Sequence, residues 1–232
     1  MCLIIIKPKG VKYNDKIKSY VIKSASVNND GFGIAIHRSG VTVQSEKFSK
    51  VEELIKFLET NKIDKNHTMM IHLRLRTHGQ ISKKNTHPFR IPFYETSKEA
   101  FETLQNAEKM TSSNVVLMHN GILSGYNDPE NIKSDTYLFT EYFLNKKLSK
   151  LYNNSNLNMM ELLYKIKGNK QYNDPKVLKT LNSYDLFKSN RLAFLCGNNG
   201  LLLTGNWYKD AHGLLLSNNG LQGVKAYPLA TG

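Results

Sequence analysis

Four short groups of residues in this 232-residue chain are of types that could do chemistry. The first is Cys2. Cysteine is small enough for an aminopeptidase to remove Met1, which would leave one residue carrying both a thiol and a free α-amino group. That amine has a reference pKa of about 7.7–8.0, suited to general-base work at neutral pH, and a terminal residue that supplies its own base is a known way to activate a nucleophile. Read alone, Cys2 is better taken as a cysteine at position two by chance, inert in a strand. The second group is His72-Leu73-Arg74-Leu75-Arg76-Thr77-His78-Gly79. On a strand, Arg74 shares a face with His72 and Met70, so a guanidinium on a buried face must find an anion, either a substrate carboxylate or a structural Asp or Glu. The third is Met118-His119-Asn120-Gly121. A strand ending in Asn-Gly sets an amide donor beside an unobstructed backbone N–H, the parts of an oxyanion hole or of an ordinary turn. The fourth is Ser134-Asp135-Thr136, where Asp135 would bind an ammonium group or simply place acid in the first turn of a capped helix.

The elements that position these groups are legible from periodicity. Leu3 to Ile6 is a short apolar run that reads as a strand buried on both faces. Tyr20 to Val27 has mixed, weaker strand character. Phe32 to His37 and Val41 to Gln44 flank Ser39-Gly40 as a hairpin. Ser49 can cap a helix through Val51, Leu54, Ile55 and Leu58, at i, i+3, i+4 and i+7. Thr68 to Leu75 returns to strand. Ser97 caps a helix through Ala100, Phe101 and Leu104, Val115 to Met118 is a strand, and Ser134 caps a helix with Leu138, Phe139, Tyr142 and Phe143. Leu157 to Lys167 has helical character, and Asp174-Pro175 suits a helix start. Leu192 to Cys196, Leu201 to Thr204 and Gly213 to Leu216 read as strands, with turn signals at Asn198-Asn199-Gly200 and Asn218-Asn219-Gly220. Cys196 sits among apolar neighbours and reads as core. No linker or repeat divides the chain, so residues 1–232 are expected to form one domain, an α+β layered sandwich.

Taken in order, an N-terminal Cys, an Arg-x-x-Thr-His-Gly segment, His-Asn-Gly and Ser-Asp-Thr resemble the class II glutamine amidotransferases, which are N-terminal-nucleophile hydrolases. Asn29-Asp30-Gly31-Phe32-Gly33-Ile34-Ala35 and Asn85-Thr86-His87-Pro88 add to the likeness, which runs from Cys2 to about Thr136 and resumes only at Leu216-Ser217-Asn218. The resemblance implies a four-layer αββα sandwich with the nucleophile at the end of a central strand. It implies roles as well. Cys2 would attack the glutamine side-chain carboxamide, and the Asn120 side chain and Gly121 N–H would hold the oxyanion. Arg74, with Thr77 and His78 nearby, would grip the α-carboxylate, and Asp135 the α-ammonium. Ammonia would leave, and water would release glutamate from a thioester. Three positions depart from the family's usual pattern: Leu3 in place of glycine, Leu75 in place of an aromatic, and Arg76 in place of a small residue. No second catalytic cluster follows Thr136, so either the ammonia would pass to a separate synthase subunit or the chain would hydrolyse an amide for its own sake. No metal or cofactor is called for, because the histidines have no metal-ligand spacing.

Composition narrows the field further. Hydrophobic residues make up 40%, a globular proportion, and no apolar run approaches the length needed to span a bilayer. With two cysteines and no signal-peptide core, a cytoplasmic protein is expected. Thirty-two Lys+Arg against 19 Asp+Glu give a net charge of +13, which suits nucleic acid or another polyanion but comes with no motif for one. Two alternatives stand beside glutaminase: a hydrolase of another, γ-glutamyl-like amide, and a basic binding protein that kept the fold without the activity.

Overall fold

A computed structural model describes residues 1–92, 96–107, 110–148, 190–197, 200–221 and 226–228. In chain order the elements are β1 (Leu3–Lys7), α1 (Asp15–Ala25), β2 (Phe32–His37), β3 (Val43–Phe48), α2 (Val51–Thr60), β4 (Thr68–Leu73), β5 (Phe89–Ile91), α3 (Lys98–Asn106), β6 (Thr111–Ser113), β7 (Val115–Asn120) and α4 (Asp135–Leu138). A π-helical segment, Phe139–Leu148, continues α4, and β8 (Arg191–Cys196), β9 (Leu201–Thr204), β10 (Tyr208–Asp210), β11 (Leu215–Leu216) and β12 (Ala226–Pro228) follow. The helical character at Leu157–Lys167, the Asp174-Pro175 start and the Asn198-Asn199 turn lie outside the described residues.

Alternation along the strands builds the layers. In β1, Leu3 and Ile5 face one way and pack with Ile17 and Val21 of α1 and Leu54 and Leu58 of α2. Ile4 and Ile6 face the other way and meet Val116 and Met118 of β7 and Ala193 and Leu195 of β8. The far faces of β7 and β8, through Leu117, Leu192 and Phe194, pack on Phe101 of α3, on Tyr137 and Leu138 of α4, and on Phe143. The result is an α+β, four-layer αββα sandwich. An eight-stranded antiparallel sheet, ordered β12-β10-β11-β1-β4-β2-β3-β6, faces a four-stranded one, β5-β7-β8-β9. Strands sandwiched between two apolar layers need apolar residues on both faces, which is why Leu3–Ile6 and Val115–Met118 are unbroken hydrophobic runs. Each such side chain contributes about 1.5–3 kcal/mol by leaving water.

Several boundaries differ from the sequence expectation, and one element changes type. Tyr20–Val27 is not a strand: most of it belongs to α1, whose Ile17, Tyr20, Val21 and Ser24 are buried at i, i+3, i+4 and i+7. The helix begins at Asn14, whose side chain accepts from the Lys16 N–H at 3.1 Å. The β-branched Val21 and Ile22 masked that helical period. In α2 the cap residue is Lys50 rather than Ser49, and Glu53 Oε2 accepts the N–H groups of both at 3.1 Å. Strand β4 stops at Leu73, so Arg74 lies just beyond its end. Ser97 and Ser134 cap α3 and α4 as expected, accepting from Ala100 N and Tyr137 N. Cys196 is buried in the core, and burial pushes its thiol up to about 12.

Candidate active site

The site forms where β1 and β4 of the large sheet and β7 of the small one end together. β1 lies between β11 and β4, so Cys2 sits at the head of a central strand. Its Sγ lies 3.3 Å from both the N and the O of Leu75. Its backbone carbonyl accepts from Asn218 Nδ2 at 2.8 Å. Burial raises the thiol above its ordinary range, against the lowering effects of the Leu75 hydrogen bond, the chain N-terminus and Arg74, so at neutral pH the sulfur keeps its proton and needs a base to act.

Cys2, Arg74, Thr77, His78, Gly121 and Asp135 line one small cavity of about 20 Å³, together with Leu75, Asn85, His87, His119, Ser134 and Thr136. That is room for about one water molecule. Six of the seven residues singled out in the sequence therefore converge. The seventh, Asn120, is buried next to Gly121 but is not part of the wall. Its side-chain Nδ2 donates to Ser217 Oγ at 2.8 Å, and the same oxygen accepts the N–H of Ile4 at 2.9 Å. Ser217 thereby ties the end of β7 to β1.

Arg74 is 3% exposed, and its guanidinium donates to the carbonyls of Gln80 (3.1 Å), His78 (2.9 Å) and Gly79 (3.5 Å). No acidic side chain bonds it among the described residues, so the structural ion pair left open by the sequence is absent there. Carbonyl contacts leave part of the five-donor fork free for an anion. Arg76 and Thr77 are exposed, and Asp30 Oδ2 accepts the Arg76 N–H at 2.7 Å. The Asp30–Ala35 and Asn85–Pro88 segments meet: a Cβ on Gly33 would strike the His87 carbonyl, so only glycine permits the approach. Asn85 locks the wall behind, donating to Gln80 O and Ile132 O and accepting from Ser134 N.

Gly121 has φ +150°, and a Cβ there would run into Asn190. Asp135 is buried, with Oδ2 accepting Leu123 N–H at 2.6 Å and Oδ1 accepting Thr136 N–H at 2.7 Å. His119 lies between Asn190 Oδ1 (2.7 Å, from Nε2) and Thr136 Oγ1 (2.8 Å, from Nδ1). Asn190 Oδ1 can only accept, so Nε2 carries the proton, while Thr136 Oγ1 lies between His119 Nδ1 and Asp135 Oδ1, to which its hydroxyl donates at 3.2 Å. Burial lowers the His119 pKa, which keeps the ring neutral. His72 and His87 stack behind it with ring centroids 3.9 Å apart, both driven down by burial, His72 to about 3. Among the described residues no three His, Cys, Asp or Glu side chains are grouped to hold a metal ion, and no helix is long and apolar enough to cross a membrane.

The sequence reading gave no role to Asn190 or Thr136, and it noted Asn218 only as part of the Leu216-Ser217-Asn218 likeness and of a turn. No local pattern reveals such residues, because each works across a long sequence separation. The sequence model of the class-II glutamine amidotransferases matches residues 17–136, more than half of the chain. The chain belongs to this family. The matched stretch holds Arg74, Asn120, Gly121 and Asp135 and begins after Cys2. No curated protein is significantly similar to the chain. Among solved structures it is similar to the allosteric regulatory enzyme of purine biosynthesis, at 14% identity and a TM-score of 0.40 over 93% of this chain. It is also similar to glutamine phosphoribosylpyrophosphate amidotransferase from B. subtilis complexed with ADP and GMP, at 15% identity and a TM-score of 0.43 over 93% of this chain. The chain spans 41% of the length of each.

Proposed function

We propose that this amidotransferase-family chain, once Met1 is removed, hydrolyses the side-chain amide of glutamine and releases ammonia for an acceptor held by a separate synthase subunit. The observation that carries the reading is the shared cavity: a nucleophile, a cation, an anion and a backbone N–H with no side chain beside it converge on one space. Cys2 supplies the thiol, and its own freed amine supplies the base that the raised thiol pKa requires. Sγ bonds to the side-chain carbonyl carbon, and the oxygen charge is met by Gly121 N–H, joined by the second N–H of Asn120 Nδ2, whose first is held on Ser217 Oγ, once the cavity widens to reach it. The thiol proton travels through the amine to the leaving nitrogen, ammonia departs, and water cleaves the thioester to glutamate and free Cys2. Arg74 and Asp135 take the α-carboxylate and α-ammonium, and a buried site built around both charges rejects analogues lacking either. At about 20 Å³ the cavity must widen to admit glutamine, and the 78–80 carbonyls on Arg74 are the contacts that would have to shift.

The test is an intact-mass spectrum of the protein before and after incubation with 6-diazo-5-oxo-norleucine. The expected result is a chain lacking Met1 that gains one adduct, and no adduct in Cys2→Ala. A chain that has lost Met1, stays unlabelled and releases no ammonia from glutamine would overturn the reading.

A further inference from the structure

Besides the small cavity at Cys2, the described residues form a larger one of about 640 Å³, a size typical of small-molecule sites. It lies across the β1 backbone from the thiol and shares no lining residue with the cavity there. Leu3 faces the helix layer, while the thiol of Cys2 lies on the opposite side, against Leu75. The walls of the large cavity are Met1, Leu3, the end of α1 with the turn to Asn28, and the Asn218–Leu221 segment. Removing Met1, which is 74% exposed, leaves the other walls in place. What the two spaces share is a support. Ser217 Oγ holds the Asn120 side chain and the Ile4 N–H, and Asn218 Nδ2 holds the Cys2 carbonyl. Asn218 and the residues after it are cavity wall, and Asn218 Oδ1 accepts the Gly220 N–H at 3.1 Å. The stretch Ser217–Leu221 is therefore a clamp on Cys2 and Asn120 at one end and a wall of the large cavity at the other.

We propose that this cavity is an effector site for a free α-amino acid with a large apolar side chain, and that its occupant tightens the Ser217–Leu221 clamp. The walls select that class. Lys23, which is exposed, is the one charged side chain in the lining, and no acidic residue lines the cavity with it. One cation matches one carboxylate, whereas a phosphate chain calls for several donors. Leu3, Val27 and Leu221 supply apolar surface for a side chain. Asn28 is 6% exposed, donates to Ser24 Oγ, and keeps its own Oδ1 buried without a partner. An unpaired buried acceptor is costly, and a ligand ammonium N–H that reaches it recovers that cost. A molecule lying between the end of α1 and the Asn218–Leu221 segment makes its full set of contacts only while that segment is seated against β1. It therefore favours the clamped state over a released one, which is the differential binding that regulation requires. The effect on turnover rests on the function proposed above, while the binding is independent of it.

The experiment measures binding, ordering and turnover separately. Titration calorimetry on the full chain carrying Cys2→Ala uses L-phenylalanine as the probe, with L-phenylalaninamide lacking the carboxylate and 3-phenylpropionate lacking the ammonium. L-Phenylalanine is expected to bind in the millimolar range or more tightly, and each analogue ~10-fold more weakly. Val27→Trp, which fills the cavity from an exposed position, and Lys23→Glu, which reverses its charge, are each expected to weaken binding ~10-fold or more. Amide exchange over residues 217–221 should slow ~5-fold or more when the probe is bound, and ammonia release from glutamine by the wild-type chain should rise. No binding, analogues that bind as well, or an affinity that survives both variants would overturn the site. Unchanged exchange over 217–221 would overturn the clamp. Ammonia release without the probe reads the glutaminase independently. Turnover without probe binding keeps the glutaminase and removes the effector site, while probe binding and slowed exchange without any turnover do the reverse.

Discussion

Two spaces flank the first residues of β1, and they are built in opposite ways. Around the Cys2 thiol the groups assigned to the reaction and their supports are tied: Arg74 to three carbonyls, Asp135 to two backbone N–H groups, Asn85 to three partners, and His119 to Asn190 and Thr136, while His78 Nδ1 and both ring nitrogens of His87 have no partner among the described residues. Across the backbone the larger cavity is lined by an exposed Lys23 and by Asn28, whose Oδ1 is buried without a partner. The difference teaches where function constrains the chain. Preorganised dipoles serve a reacting centre because they need not reorganise when charge develops, and holding them demands a second layer of bonds.

That contrast breaks most visibly at Arg74. Lysine there keeps the charge but loses the planar fork, so it cannot hold three carbonyls and a carboxylate together. Arg74→Lys is expected to lower kcat/KM for glutamine by about 100-fold or more, mainly through KM. A steady-state comparison that found KM unchanged would mean that Arg74 does not meet the substrate carboxylate. Ser217→Ala is the next largest. It leaves the buried Ile4 N–H without its acceptor and frees Asn120, at a cost of about 1–3 kcal/mol in stability. Urea unfolding measures that loss, and kcat should fall further than KM rises, because an oxyanion donor acts on the transition state. An unchanged kcat would detach Asn120 from catalysis.

Much of this site was legible because its parts are local. Asn120-Gly121 ends a strand, Ser134 caps a helix, and Arg74 lies two residues from His72, so type and spacing sufficed. The eight-stranded sheet was legible only in pieces. Three-residue strands such as β5, β6 and β10 are too short to show a period, and Tyr20–Val27 hid a helix behind β-branched residues. The Leu216-Ser217-Asn218 stretch was noted only for its likeness to the family, and the pairings it makes were beyond reach for a different reason. Ser217 meets Asn120 across 97 positions and Asn218 meets Cys2 across 216. Such pairings are fixed by sheet order, which places β11 beside β1, and no window along the chain contains both partners. The large cavity was invisible for the same reason, since its walls come from both ends of the chain.

The smallest expected effect concerns the layer behind the tied cavity, where the contrast can be sharpened through pH. His72 gives its Nε2 to the His119 carbonyl, and His87 bonds through neither nitrogen among the described residues, yet both are buried and stack on each other. Desolvation lowers both, His72 from 6.5 to about 3, and His119 and Arg74 beside them add repulsion to any new charge. The folded state therefore holds fewer protons than the unfolded chain below pH 6.5. The stability from these neutral rings is complete above that pH and is lost progressively as the pH falls from 6.5 toward 3. Between pH 7 and pH 6 the loss is about 1 kcal/mol or less per histidine, and it steepens below. His87→Phe removes one titrating ring while keeping its shape near Phe89, so its urea midpoint should decline less between pH 7 and pH 5 than that of the wild type. An equal decline in both would place the acid sensitivity elsewhere, and would leave His87, which lines the small cavity without a partner, as a group held for the substrate rather than for the core.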